Sequence, residues 1–317
     1  MSLAIQFSHK IFQILTARNG LPKILVGRDS IDIPLGKIIA NKYCVGEKIN
    51  YGSFATVFHV KKVDEMEYNK ILKIAKENET NEKHNTEVMI LRKCLGENFF
   101  PQFVEEFSLK HHKCIVMTHS GEPVADYLKR NPTKTFCNSN ILRLTVSLFK
   151  SLDFLHQAAG YVHRDIHGDN LMLKLSNGVL IFNIIDFGNG ALANSTQKCN
   201  YNSISTSLNV MICHKYNPLD DFISSMYYMS ECAGVRLFVT GSDTLIHAKE
   251  KYHREPCKVY DSSQKWMGTV VAKLDQLQKA QSKDFKPVWK IFDSAIPHCL
   301  PDSPIKFKIN EKKVFIE

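Results

Sequence analysis

Val162-His163-Arg164-Asp165-Ile166-His167-Gly168-Asp169-Asn170-Leu171-Met172-Leu173 sets an acid, Asp165, five residues before an amide, Asn170, in a short polar stretch. Upstream, Leu144, Leu148, Leu152 and Leu155 recur at helical spacing and predict a helix with one buried face, ended by Gly160. Downstream, Leu171 to Leu175 reads as a strand, Asn177-Gly178 as a hairpin turn, and Val179 to Ile185 as the returning strand. That strand delivers Asp186-Phe187-Gly188. A carboxylate set for proton transfer, an amide, and a second carboxylate returned by a hairpin suit metal-bound phosphate chemistry. His163-Arg164-Asp165 alone also fits a surface loop in which Asp165 caps a helix. The ordered set with Asn170 and Asp186 is what points to chemistry.

The 317 residues suffice for one large domain or two lobes, and a content of 44% hydrophobic and 23% charged residues is that of an ordinary globular protein. A formal net charge of +9 favours anionic partners: nucleotide, phosphopeptide or acidic protein. Nine cysteines, an odd number without a Cys-x-x-Cys pair, argue against a disulfide framework and a zinc site, and for a reducing compartment. The histidines show no metal-ligand spacing, and no apolar run reaches the length of a membrane span.

Residues 1–28 carry Lys10, Arg18, Lys23 and Arg28 and no acid, with Phe7, Ile11, Ile14 and Leu15 as an apolar stripe. The expectation is a helix packed outside a domain, with a mitochondrial transit peptide as the alternative; Lys10 interrupts any secretory signal. From Lys42 the pattern turns to strands. Tyr43 to Ile49 and Ala55 to Val60 flank the turn Asn50-Tyr51-Gly52-Ser53-Phe54, either a plain hairpin or a loop over phosphates. Lys73 sits mid-strand in Lys70-Ile71-Leu72-Lys73-Ile74-Ala75 and needs a partner, which Glu87 of the following helix offers. The strand Cys114 to Met117 leads into a polar hinge, Thr118-His119-Ser120-Gly121, and helices follow. Leu219-Asp220-Asp221 opens a helix with acids at its start, and Lys249 to Lys258 reads as a solvated charged loop. A last helix, Phe285 to Ala295, turns Val288, Ile291 and Phe292 inward.

The ordered set resembles that of eukaryotic protein kinases over about residues 41 to 300. Within that superfamily it is most similar to the casein kinase 1 group. Tyr201-Asn202-Ser203-Ile204-Ser205 resembles that group's Tyr-Ala-Ser-Ile-Asn, which stands where most kinases have Ala-Pro-Glu. Asp220-Asp221 with Ser224 fits its Asp-Asp-Leu-x-Ser pattern, and Gly121 and Asp126 match its stretch after the hinge. The resemblance implies an α+β, bilobal fold: an extension over 1–40, a mostly-β N-lobe over about 41–118 with one key helix, a mostly helical C-lobe over about 121–300, and a short tail over 301–317. It implies ATP and Mg2+ as cofactors. Lys73 would hold phosphates, oriented by Glu87, while Asp165 takes or orients the proton of a substrate hydroxyl and Asn170 and Asp186 hold magnesium. Gly52 would lie over the phosphates with Asn50 in the same loop, Met117 would guard the adenine pocket, and Thr118 to Ser120 would line the hinge. Asp221 would accept hydrogen bonds from the catalytic-loop backbone.

Four features depart from the family. Asn50 and Ala55 replace the first and third glycines of the phosphate loop, which limits backbone approach to phosphate. His167 stands where serine/threonine kinases have lysine, which makes it a candidate catalytic cation. The segment from Gly188 to Ser203 is short, and Lys198 falls where the group has threonine. The resulting expectation is a cytoplasmic, monomeric serine/threonine kinase acting on an acidic or phosphorylated protein substrate, without nucleic acid. The alternative compartments are the nucleus and, through residues 1–28, the mitochondrion. The alternative functions are a catalytically weak or dead scaffold and, because His167-Gly168 resembles the choline and aminoglycoside kinase loops, a small-molecule kinase.

Overall fold

The computed structural model describes residues 31–51, 55–76, 81–199, 203–238 and 244–317. The reading of residues 1–28 and the placement of Gly52 therefore lie outside the described residues, as does the side chain of Asn50. Six antiparallel strands form the N-lobe sheet in the order β1-β2-β3-β4-β6-β5. They are β1 (Ile38–Ile39), β2 (Tyr43–Tyr51), β3 (Ala55–Lys62), β4 (Lys70–Ala75), β5 (Phe103–Leu109) and β6 (His112–Thr118). Alternation along β4 sends Leu72 and Ile74 into a small core with Val45, Phe58, Val60 and Val116. The other face of β4 carries Ile71 and Lys73 toward the cleft. Asn50, expected in the turn, belongs instead to the paired strands, opposite Val57, while Ala55 opens β3 as expected, opposite Ala75.

Helix α1 (Asn81–Lys93) covers this sheet with Val88, Ile90 and Leu91, and the same face buries Glu87. Glu82 in its first turn and Arg92 and Lys93 in its last complement the helix dipole. Past the hinge, β7 (Glu122–Pro123) and α2 (Val124–Arg130) lead to the long helix α3 (Asn138–Phe154). Its Ile141, Leu144, Leu148 and Leu152 are fully buried, so it runs through the C-lobe core. A π-turn over Leu155–Ala159 ends it, and Gly160 closes it at φ +80°, a left-handed value that glycine adopts without strain. Two short strands, β8 (Tyr161–Val162) and β11 (Ala191–Leu192), pair across the catalytic loop and its hairpin β9 (Leu171–Ser176)–β10 (Val179–Ile184). Asn177 and Gly178, both at positive φ, make the hairpin turn as expected.

After α4 (Leu208–Cys213) comes α5 (Pro218–Cys232), which starts at a capping box: the Asn217 side chain accepts from Leu219 N and the Asp220 side chain from Asn217 N, each at 2.8 Å. Phe222 on α5 packs on Phe149 of α3, ring centroids 4.8 Å apart. Helices α6 (Leu245–Arg254), α7 (Lys265–Lys279) and α8 (Lys286–Ser294) complete the lobe. Two expectations are corrected here. The segment 301–317, expected as a short tail, forms the hairpin β12 (Phe307–Asn310)–β13 (Lys313–Ile316), and Ile305, Val314 and Ile316 enter the main core. Asn131 Nδ2 and Asn140 Nδ2 bind its carbonyls at Ile316 (2.6 Å) and Lys306 (2.8 Å).

The charged stretch from Lys249, expected as a solvated loop, begins inside α6, and Lys249 is 0% exposed. Its stem lies among apolar groups while Nζ donates to the carbonyls of Ser203 (3.3 Å), Ile204 (2.9 Å) and Thr206. The rings of Tyr227 and Phe238 face the ammonium at 4.6 and 4.9 Å. Burial pushes its pKa down to about 7. Lys249 thus pins residues 203–206 to α6. Replacing it (Lys249→Met) removes the donor that Ile204 O and Thr206 O share, at a cost of about 1–3 kcal/mol, while Ser203 O keeps its bond from Thr206 N. Amide exchange over residues 203–206 should quicken and the melting temperature fall; unchanged exchange there would show that the contact holds nothing.

Candidate active site

Lys73 Nζ lies 2.9 and 2.7 Å from the Glu87 carboxylate oxygens and 2.8 Å from Asp186 Oδ1. Strand β4, helix α1 and the exit of β10 thus meet at one ammonium. Lys73 holds the Asp186 carboxyl down to about 2, so it stays ionised. Burial pulls the Lys73 pKa down, but Asp186 and Glu87 outweigh it and the lysine stands above its ordinary value. Burial pushes Glu87 up, against Lys73. Asp186 sits at φ +65° and Arg164 at φ +68°, left-handed values for non-glycine residues. Such strain persists where the surroundings over-determine it, as at a functional site.

The loop between β8 and β9 hangs from Asp221 near the start of α5. Asp221 Oδ2 accepts from His163 N (2.8 Å) and Oδ1 from Arg164 N (2.9 Å), as the resemblance implied. The same carboxylate also meets His156 Nε2 (2.8 Å) and the Tyr216 hydroxyl (2.6 Å). Burial pushes Asp221 up, but these bonds and the nearby imidazoles outweigh it and leave it below the usual carboxylate range. Asn170 Nδ2 donates to Asp165 O at 2.9 Å, and Ile185 N donates to Asn170 O at 3.0 Å. His163 Nε2 lies 3.0 Å from Ile185 O. The loop and the end of β10 are therefore mutually fixed, and Asn170 faces the same cleft as Asp186. Gly168 is required by close approach: a Cβ there would lie 2.1 Å from the Tyr228 hydroxyl of α5.

His167 Nε2 lies 3.4 Å from Asp165 Oδ1 and 3.0 Å from Asn170 Nδ2. Asp165 raises the His167 pKa. Burial pushes Asp165 up, but His167 outweighs it and holds it below its ordinary value. Asn189 Nδ2 donates to Asp165 Oδ2 at 3.1 Å. Among the described residues no hydrogen bond or ion pair joins Lys198 to Asp165. Asp165 is met instead by Asn189, whose only signal in the sequence was its place directly after Gly188.

These groups line a cleft of about 730 Å³ between the lobes. Val57, Ile71 and Met172 give it apolar walls, and Met117, Thr118 and Ser120 form its hinge side. Ser120 Oγ is buried without a hydrogen-bond partner among the described residues, an orphan that a purine could satisfy. The donor set also suits magnesium. Among the described residues no three His, Cys, Asp or Glu side chains converge as a metal site, but magnesium is commonly held by one or two protein oxygens plus phosphates and water.

Residues 43–230 of the 317 match the protein kinase domain family. The chain belongs to that family. A probable serine/threonine-protein kinase of Dictyostelium discoideum is 24% identical over 238 residues, 71% of this chain and 48% of that protein. A putative serine/threonine-protein kinase of Caenorhabditis elegans is 26% identical over 167 residues, 51% of this chain and 47% of that protein. A probable myosin light chain kinase of Dictyostelium discoideum is 30% identical over 151 residues, 46% of this chain and 30% of that protein. The chain spans about half the length of these relatives, or less.

Beside Asp221 in this kinase domain, Asp220 is fully buried, and Ser207 Oγ (2.6 Å), Gln278 Nε2 (2.9 Å) and Asn217 N (2.8 Å) donate to it. Burial pushes it up to about 6 despite these donors. A folded pKa above the unfolded value of about 3.9 favours the folded state at low pH, and that contribution is lost as pH rises through about 6. Wild type should therefore gain about 1 kcal/mol over Asp220→Asn between pH 7 and pH 5. Parallel melting profiles for the two proteins across that range would contradict this.

Proposed function

We propose that this chain is an ATP- and magnesium-dependent protein kinase that transfers the γ-phosphate to serine or threonine hydroxyls. The observation that carries the reading is the Lys73–Glu87–Asp186 cluster facing Asp165 and Asn170 across one cleft. Lys73, oriented by buried Glu87, would bind phosphate oxygens. Asp165 would accept the proton of the attacking hydroxyl as its oxygen bonds to the γ-phosphorus and the bond to the β–γ bridging oxygen breaks, releasing ADP. Asn170 spends its Nδ2 on Asp165 O, which leaves Oδ1, with Asp186, to hold magnesium. Magnesium, when bound, neutralises charge on the phosphates.

The names of the serine/threonine kinase relatives support the substrate class. The finer likeness to casein kinase 1 rests on Ser203-Ile204-Ser205 and the Asp220-Asp221 helix start. A net charge of +9 supports an acidic or phosphorylated protein substrate, and nine free thiols support a reducing compartment such as the cytoplasm. Among the described residues no helix is long and apolar enough to cross a membrane.

Phosphate transfer to casein with purified protein is the test. Lys73→Met should lower the rate by on the order of a hundredfold or more, and should also lower the melting temperature because buried Glu87 loses its partner. Asp165→Asn should lose turnover and keep nucleotide binding, whereas Asp186→Asn should blunt the magnesium dependence of that binding. Wild-type turnover in Lys73→Met would remove the assignment.

A further inference from the structure

Asp165 has two carboxylate oxygens, and two separate segments meet them: His167 approaches Oδ1, and Asn189 donates to Oδ2 at 3.1 Å. Asn189 reaches this point because the chain turns tightly after Phe187, with Gly190 N bonded to Phe187 O at 2.9 Å. The turn is held from both sides. A Cβ on Gly190 would lie 2.8 Å from Ile90 Cδ1 of α1, 3.0 Å from Phe187 O and 3.2 Å from Val162 O, so the turn packs closely on both sides. Immediately after it, Ala191 pairs with Val162 and Leu192 with Tyr161, in register with the strand that enters the catalytic loop. The half-buried amide of Asn189 is thereby set against Asp165 by two backbone constraints rather than by a mobile surface contact.

A carboxylate that accepts a proton from a hydroxyl must present an oxygen in a fixed direction, and rotation about its last torsion would spoil that geometry. A neutral amide donor on one oxygen restrains that rotation and adds no charge to compete for the proton. We propose that Asn189 is the positioning residue of Asp165, holding its carboxylate plane through the Nδ2–Oδ2 hydrogen bond. The proposal rests on the kinase reading above and assigns Asn189 no contact with substrate.

Two substitutions separate this role from a merely structural one. Asn189→Leu is close in size and removes the donor. Asn189→Asp keeps the shape and turn preference but sets a second carboxylate against Asp165. Acting through Asp165, Leu should lower kcat for casein about tenfold and Asp about a hundredfold, with KM for ATP within about threefold of wild type in both. A residue that only shapes the turn gives the opposite order, Asp milder than Leu. Wild-type kcat in Asn189→Leu, or Asp milder than Leu, overturns the proposal and leaves the kinase reading standing. Wild-type protein that transfers no phosphate overturns both.

Discussion

A single buried carboxylate, Asp221, decides where the chemistry of this protein can sit. Removing an ionised carboxylate from water is costly unless donors replace the water. Here two backbone amides of the catalytic loop, one imidazole and one phenol do so. The donors come from three pieces of the C-lobe: His163 and Arg164 from the loop, His156 from the turn that ends α3, and Tyr216 from the chain before α5. The charge cannot be satisfied unless all of these arrive together. The loop that carries Asp165 and Asn170 is therefore tied to the helical core, and its left-handed Arg164 is held by the same bonds.

From that anchor the site divides its charges between the lobes. Lys73 belongs to the N-lobe sheet and Asp186 to the C-lobe hairpin, and their 2.8 Å contact joins the two. Glu87 holds the ammonium from the other side, so its position is defined by two carboxylates. Two aspartates that face each other in the cleft, Asp186 and Asp165, stay ionised for different reasons. Lys73 holds Asp186 low, which suits a metal ligand, while His167 holds Asp165 low. The packing of Tyr228 on Gly168 extends the same logic to shape, because the loop approaches α5 too closely for any side chain at that position.

Much of this arrangement was legible in the sequence wherever chemistry restricts both residue type and spacing. Lys73, Glu87, Asp165, Asn170 and Asp186 stood out because each lies at a defined place on a strand, a helix, a loop or a hairpin. The hairpin turn at Asn177-Gly178 was readable for the same local reason. What escaped depends on pairings between distant segments. Asn189 meets Asp165 across 24 residues, His156 meets Asp221 across 65, and Lys249 reaches the carbonyl of Ser203 across 46. No periodicity marks such partners. Lys249 misled because a lysine in a charged stretch reads as solvated, although its stem can pack and its ammonium can be met by carbonyls. The hairpin after residue 300 was missed because each of its strands is only four residues long, too short for an alternation to stand out, and its first strand is largely exposed, so that Ile305, Val314 and Ile316 supply the residues buried in the core.

Whether the cleft transfers phosphate or only holds nucleotide is the point on which the account stands. The measurement is phosphoamino-acid analysis of casein after incubation of the wild-type protein with γ-labelled ATP and magnesium, run beside a nucleotide thermal shift. The account predicts label on serine and threonine. A nucleotide-dependent thermal shift with no label on protein would contradict it and leave a binding scaffold on the kinase fold.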